Sequence, residues 1–153
     1  MKSLDLLYRG SIHSFDAKAC HFKVNGNANT VTFIHAEDGV HEQEMAGMAG
    51  KKYKGKKFGG FSSIVQSSEG KYTTDTSAFV FSLSNGALGY QGIFNVRSGG
   101  AKAVGHFGGR ICQFGMGDIY IDTNCNKTTQ NRAAFGRHYE LPSGMAYESV
   151  EAN

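Results

Sequence analysis

The sequence predicts a mainly β fold, a two-sheet antiparallel β-sandwich with one main helix and short flanking helices, on three observations. Short runs of β-branched and aromatic residues recur along the chain, glycine-bearing turns divide them, and only one segment combines helical spacing with a cap. The composition agrees. Of 153 residues 21 are Gly and one is Pro, with 11 Phe, 7 Tyr and no Trp. Gly alone takes positive φ without steric cost, so this abundance marks many tight turns, and the aromatic residues favour strands. Short strands without intervening helical segments specify a sandwich or barrel, not a parallel sheet.

Taken in order, residues 4–8 (Leu-Asp-Leu-Leu-Tyr) read as a short strand ending at Arg9-Gly10. Ser14 then suits a helix N-cap, Asp16 a first turn that favours an anion, and Phe15, Ala19 and Phe22 recur at helical spacing. This predicts a helix from Phe15 to about Val24, closed by Asn25-Gly26-Asn27. Residues 30–35 form a β-branched strand stopped by Asp38-Gly39. Residues 40–57, with acids, glycines and five lysines, read as a surface excursion. Strands follow at 58–64, 78–83, 88–96, 103–107, 110–114, 118–121 and 147–151, while 67–75 reads as polar loop. The strands at 58–64, 78–83 and 118–121 are expected to form the core. No internal repeat or linker divides the chain, so residues 1–153 read as a single domain. At that size one core suffices, burying roughly 68–70% of the unfolded surface.

Charge and composition exclude several classes. Charged residues make up 19% and hydrophobic ones 40%, within the globular range. A formal charge of +3 is well short of the basic stripe of a nucleic-acid binder. No apolar stretch approaches the roughly 20 residues of a membrane-spanning helix. Met1-Lys2-Ser3-Leu4-Asp5-Leu6-Leu7 lacks the apolar core of a signal peptide. Three cysteines without a C-x-x-C pair argue against a disulfide framework and for a reducing, cytoplasmic compartment. There the sequon Asn126-Lys127-Thr128 is a chance match.

Candidate chemistry is sparse. The glycine clusters Ser98-Gly99-Gly100 and 105–117 lack the Lys-Ser/Thr and following helix of a phosphate-binding loop, so they read as strand turns. His13, His21, His35, His41, His106 and His138 show no zinc spacing, and His41 with Glu42 and Glu44 makes at most a weak metal trap. No cofactor is implied. Cys20 has Lys18 and Lys23 nearby, which would favour thiolate if it were exposed, but its neighbours Ala19 and Phe22 argue for core packing. Cys112 beside Ile111 reads as core. Cys125, between Asn124 and Asn126, reads as exposed and the readiest to oxidise. Asp118, Asp122, Glu148 and Glu151 are carboxylates that nothing in the sequence pairs for acid–base work. Lys51, Lys52, Lys54, Lys56 and Lys57 form a solvated run that could meet an acidic protein surface.

The motifs together resemble the TLDc domain of the oxidation-resistance proteins. Leu6-Leu7-Tyr8-Arg9-Gly10-Ser11 with Phe15-Asp16-Ala17-Lys18 is similar to that family's opening. Phe58-Gly59-Gly60-Phe61-Ser62, Ala78-Phe79-Val80-Phe81-Ser82-Leu83 and Gly115-Met116-Gly117-Asp118-Ile119-Tyr120-Ile121 follow in family order. Ala134-Phe135-Gly136 fits the closing turn and Val150-Glu151 the last strand, where Glu151 falls on the family's recurrent Glu. Against that pattern residues 40–57 are an insertion, and Arg132 stands where the family has a cysteine. The resemblance implies a non-catalytic protein-interaction module of the oxidative stress response, docking on a partner such as the vacuolar proton ATPase. Asp118, Glu151 and the lysines are then the partner-binding candidates. Two other readings stay open: a structural component of a large cytoskeletal or ciliary assembly, and a thiol enzyme using Cys20 or Cys125.

Overall fold

The computed structural model describes residues 3–36, 56–83, 91–128, 130–133 and 135–141. Two antiparallel sheets carry the fold. The first has four strands in the order β1 (Thr30–Ala36), β2 (Lys56–Ser62), β4 (Phe79–Ser82) and β5 (Gly92–Asn95). The second has five, in the order β3 (Lys71–Thr73), β6 (Val104–His106), β7 (Arg110–Phe114), β8 (Ile119–Asp122) and β9 (Arg132–Ala133). The sandwich expected from the sequence is the one observed.

Alternation along each strand sends one set of side chains between the sheets. Phe58, Val80 and Phe94 come from the four-stranded sheet and meet Val104, Phe114, Ile119 and Ile121 from the other. Phe135 and Tyr139, both fully buried, complete this core, and the Tyr139 hydroxyl donates to the Ala103 carbonyl at 2.7 Å. Each such side chain contributes about 1.5–3 kcal/mol of burial. Gly60 shows how closely the layers approach, because a Cβ there would lie 2.7 Å from the Phe114 ring. The three strands expected to form the core do so with one face only.

Several expectations are corrected. Residues 4–8 form no strand with the other described residues, and Leu4 and Leu6 are exposed. The expected helix begins later, as α2 (Ala17–Val24), behind a short α1 (Gly10–His13). Asp16, not Ser14, is its N-cap, accepting from the Lys18 amide at 3.0 Å. Ser14 joins the two helices at φ 84°. The buried face of α2 is Ala17 and Cys20, whereas Phe22, expected beside Cys20, points to solvent. His21 Nε2 lies 2.7 Å from the Arg110 carbonyl, which fixes the helix to β7. The expected polar loop at 67–75 contains β3, and β9 was not expected at all. The strand expected at 147–151 and most of the 40–57 excursion lie outside the described residues; its end, Lys56 and Lys57, is the start of β2.

Candidate interaction surface

The outward faces of the two sheets differ in kind. On the five-stranded sheet the outward residues satisfy one another. Gln113 Nε2 donates to the Tyr72 hydroxyl at 2.7 Å, and the Arg110 guanidinium bonds Gln113 and lies 4.3 Å from the Tyr120 ring centroid and 4.9 Å from that of Phe107. Such stacking and pairing leaves little for a ligand to add.

The four-stranded sheet is apolar on its outer face. Its register sets Phe33 of β1, Gly59 of β2, Phe81 of β4 and Ile93 of β5 in one row across all four strands. The adjacent row is Val31, Phe61, Phe79 and Asn95. Phe61 stacks on Phe79 with centroids 5.1 Å apart, and Phe33 meets Phe81 at 5.4 Å. Gly59 permits this second contact: a Cβ there would stand 2.7 Å from Phe81 Cζ. Phe33 nevertheless remains 66% exposed, Ile93 64% and Leu83 51%. Between them opens a solvent-facing depression of about 450 Å³, lined by Val31, Phe33, Phe79, Phe81, Leu83 and Ile93. Apolar side chains exposed together on one sheet face, unlike scattered single residues, make this face the candidate contact surface.

Asp118, expected on a partner-binding surface, is fully buried and bound to its own chain. Its Oδ1 accepts from the amides of Gly136, Arg137, His138 and Tyr139 at 3.0, 2.9, 3.2 and 3.4 Å. The carboxylate thereby closes the turn that delivers Phe135 and Tyr139 into the core. Gly115 makes room for it, since a Cβ there would lie 2.2 Å from Oδ2. A second buried carboxylate, Asp75, accepts from the Ser63 amide at 2.8 Å, the Ser63 hydroxyl at 2.7 Å and the Ser77 amide at 3.0 Å. The glycine–aspartate motif is thus a structural clamp. A model of the TLDc domain matches residues 1–150. The chain belongs to the TLDc family. Comparison with curated proteins and with solved structures finds no match.

The other sequence-expected residues of this TLDc domain are distributed as follows. Lys57 is an exposed residue of β2, paired in register with His35, and Lys56 opens the same strand. Lys51, Lys52, Lys54 and Glu151 lie outside the described residues, as do His41, Glu42 and Glu44. Among the described residues no three of His, Cys, Asp and Glu come together as a metal site, and no helix is long and apolar enough to cross a membrane.

The three cysteines converge, which their spacing did not announce. The Cys20 thiol lies 3.7 Å from the Ile111 carbonyl, next to Cys112. The turn bearing Cys125 is tied to the start of α2, where the Asn124 amide donates to the Phe15 carbonyl at 2.7 Å and the Ala17 amide to Thr123 Oγ1 at 3.0 Å. Tyr8 lies within electrostatic reach of all three thiols. Burial pushes Cys20 up to about 11 and raises Cys112 and Cys125, the last with a further push from Asp122. Burial first, and the thiols second, push Tyr8 up to about 12. Cys125, expected to be exposed, is half-buried. The cluster therefore holds protonated thiols at neutral pH, the opposite of an activated nucleophile.

Proposed function

We propose that this TLDc domain acts by binding another protein through the outer face of its four-stranded sheet, without catalysis, in the oxidative stress response and with the vacuolar proton ATPase as partner. The observation that carries this reading is the apolar row of Phe33, Phe81 and Ile93, exposed at its two ends and bordered by Leu83. Membership of the TLDc family supports a protein-interaction role. Among the described residues, the two buried carboxylates and the thiols have structural roles. Asp118 and Asp75 hold turns, and the thiols are held protonated. Apolar residues at the centre of an interface carry most of its binding energy, so a few substitutions on this face decide the matter.

The test is binding of the purified, soluble catalytic sector of the vacuolar ATPase to the intact chain, followed by biolayer interferometry. The native chain is expected to bind, and the double variant Phe33→Thr/Ile93→Thr to lose about tenfold or more in affinity. Threonine keeps the strand propensity at both exposed positions. Equal binding by both forms moves the contact elsewhere, and no binding by either removes this partner. Peroxide turnover that disappears with Cys20→Ser or Cys125→Ser would instead establish an enzyme.

A further inference from the structure

We infer that Asn25, followed by Gly26 at the end of α2, is a site of spontaneous deamidation that the folded chain holds shut, and whose conversion loosens the helix from the loop beyond β2.

The reaction needs only water. The Gly26 amide nitrogen gives up its proton and attacks Asn25 Cγ, the Cγ–Nδ2 bond breaks, and ammonia leaves a five-membered succinimide. Water then opens that ring at either carbonyl. One product is aspartate at position 25. The other is isoaspartate, whose backbone runs through the side-chain carbon and is longer by one methylene. Glycine as the following residue favours the attack, because no Cβ shields its amide. Both residues are exposed, and nothing stands within 4 Å of the place a Gly26 Cβ would take, so solvent reaches this amide. The sequence has a second Asn-Gly pair, Asn85-Gly86, which lies outside the described residues.

Hydrogen bonds hold both reacting groups in place. The Gly26 N–H that must be lost donates to the Gln66 carbonyl at 2.9 Å. The Asn25 carboxamide is tied at both ends, with Oδ1 3.0 Å from His21 Nδ1 and Nδ2 donating to Ser68 Oγ at 2.8 Å. Its backbone is fixed as the helix C-cap, where its own amide donates to the His21 carbonyl at 3.0 Å. A net intramolecular hydrogen bond lowers the open population by roughly two- to tenfold. The Gly26 bond and the two carboxamide contacts together make the native turn roughly ten- to a thousandfold less reactive than the unfolded chain. The barrier is local: α2 has 8 residues, too few to stand alone, so its last turn opens more readily than the core.

Conversion acts on the join between α2 and the loop beyond β2. The Gly26 amide donates to the Gln66 carbonyl and the Gln66 amide to the Asn27 carbonyl, both at 2.9 Å, so the two segments are bonded reciprocally. An added methylene just before the Gly26 nitrogen moves that nitrogen out of the pairing. Position 25 also loses the N–H that reaches Ser68 and gains a negative charge at a helix C-terminus, where the dipole disfavours it.

The test ages the intact chain at neutral pH and body temperature, native and in urea, and maps its peptides by mass spectrometry. Asn25→Asp supplies the chromatographic standard that separates aspartate from isoaspartate. In urea, Asn25 and Asn85 are expected to convert at similar rates. In the native chain Asn25 should convert at least about tenfold more slowly, and Ser68→Ala should speed it about two- to tenfold. Ser68→Thr keeps the hydroxyl and should stay at the native rate, with circular dichroism and melting temperature retained in both variants. Once isoaspartate has formed, hydrogen exchange at the Gln66 amide should quicken. Conversion of native Asn25 as fast as in urea, no conversion in urea, or equal rates in the native chain and Ser68→Ala would overturn the proposal. So would unchanged protection of the Gln66 amide in the isoaspartate form, since the helix end would then be joined as firmly as before.

Discussion

Phe33 and Phe81 meet ring to ring at 5.4 Å although a full strand lies between them. The residue between is Gly59, the register partner of both, and its missing side chain is the space the Phe81 ring occupies. A methyl group there would also stand 1.9 Å from the Thr32 carbonyl oxygen, so backbone as well as ring must move. The outer aromatic face of the four-stranded sheet is therefore built on a glycine rather than on the aromatic residues alone.

This relationship separates two substitutions. Gly59→Ala overfills the site and is expected to lower stability by about 1–3 kcal/mol. Phe33→Thr removes an exposed ring and one cross-strand contact, at a cost of at most about 1 kcal/mol. Urea unfolding with an unchanged slope measures both. Equal losses would mean that Phe33 is core rather than surface.

Asp118 gives a sharper contrast. Four backbone amides converge on its Oδ1. Asp118→Ala leaves them without an acceptor inside the protein and is expected to cost about 3–5 kcal/mol. Asp118→Asn keeps an oxygen for these amides but sets an amino group 3.1 Å from the His138 amide, where Oδ2 now accepts. An intermediate loss of about 1–3 kcal/mol is expected. If alanine and asparagine behave alike, the clamp is not what holds the 135–139 turn.

These cases show what the sequence made legible. The strands at 30–35 and 78–83 could be read because β-branched and aromatic residues run together there, and the family order of the motifs was plain. Which face of a strand would remain uncovered was not readable. In β4 apolar residues occupy both faces, Val80 inward and Phe79 and Phe81 outward, so alternation carries no sign. The β3 segment, Lys71-Tyr72-Thr73, is polar and forms because β6 lies beside it, a tertiary cause without local signature. Asp118 was visible as part of a motif, yet its role depends on amides about twenty residues downstream.

His106 makes stability depend on pH. It lies buried on β6, and burial holds its pKa below the ordinary 6.5. The Ser67 amide donates to its Nδ1 at 3.2 Å, an interaction that needs the lone pair of the neutral ring. Because the folded pKa is depressed, the unfolded chain takes up the proton first as pH falls. The contribution is complete above about 6.5 and is lost as pH drops from there through the folded pKa. Denaturation midpoints should fall over this window. His106→Asn, which retains an acceptor for Ser67, should flatten the dependence, and an unchanged slope in that variant would assign it to other groups.

The thiol cluster titrates in the opposite direction. Folded Cys20 holds its proton to about 11, whereas the ordinary value is 9.0, so above about pH 9 the unfolded chain releases a proton that the folded chain keeps. Stability should accordingly decline as pH rises from 9 towards 11, and Cys20→Ala should lessen that decline. Reactivity follows from the same burial. At pH 7.5 a disulfide reagent such as Ellman's is expected to modify Cys125 slowly and Cys20 and Cys112 only on unfolding. The native rate should rise about tenfold per pH unit up to about 9, as thiolate remains the minor form. Three thiols reacting at once in the native chain at neutral pH would contradict the burial seen here and restore a redox role to the cluster. Slow, ordered reaction would leave the thiols as packing between α2 and β7 and the exposed aromatic face as the working surface.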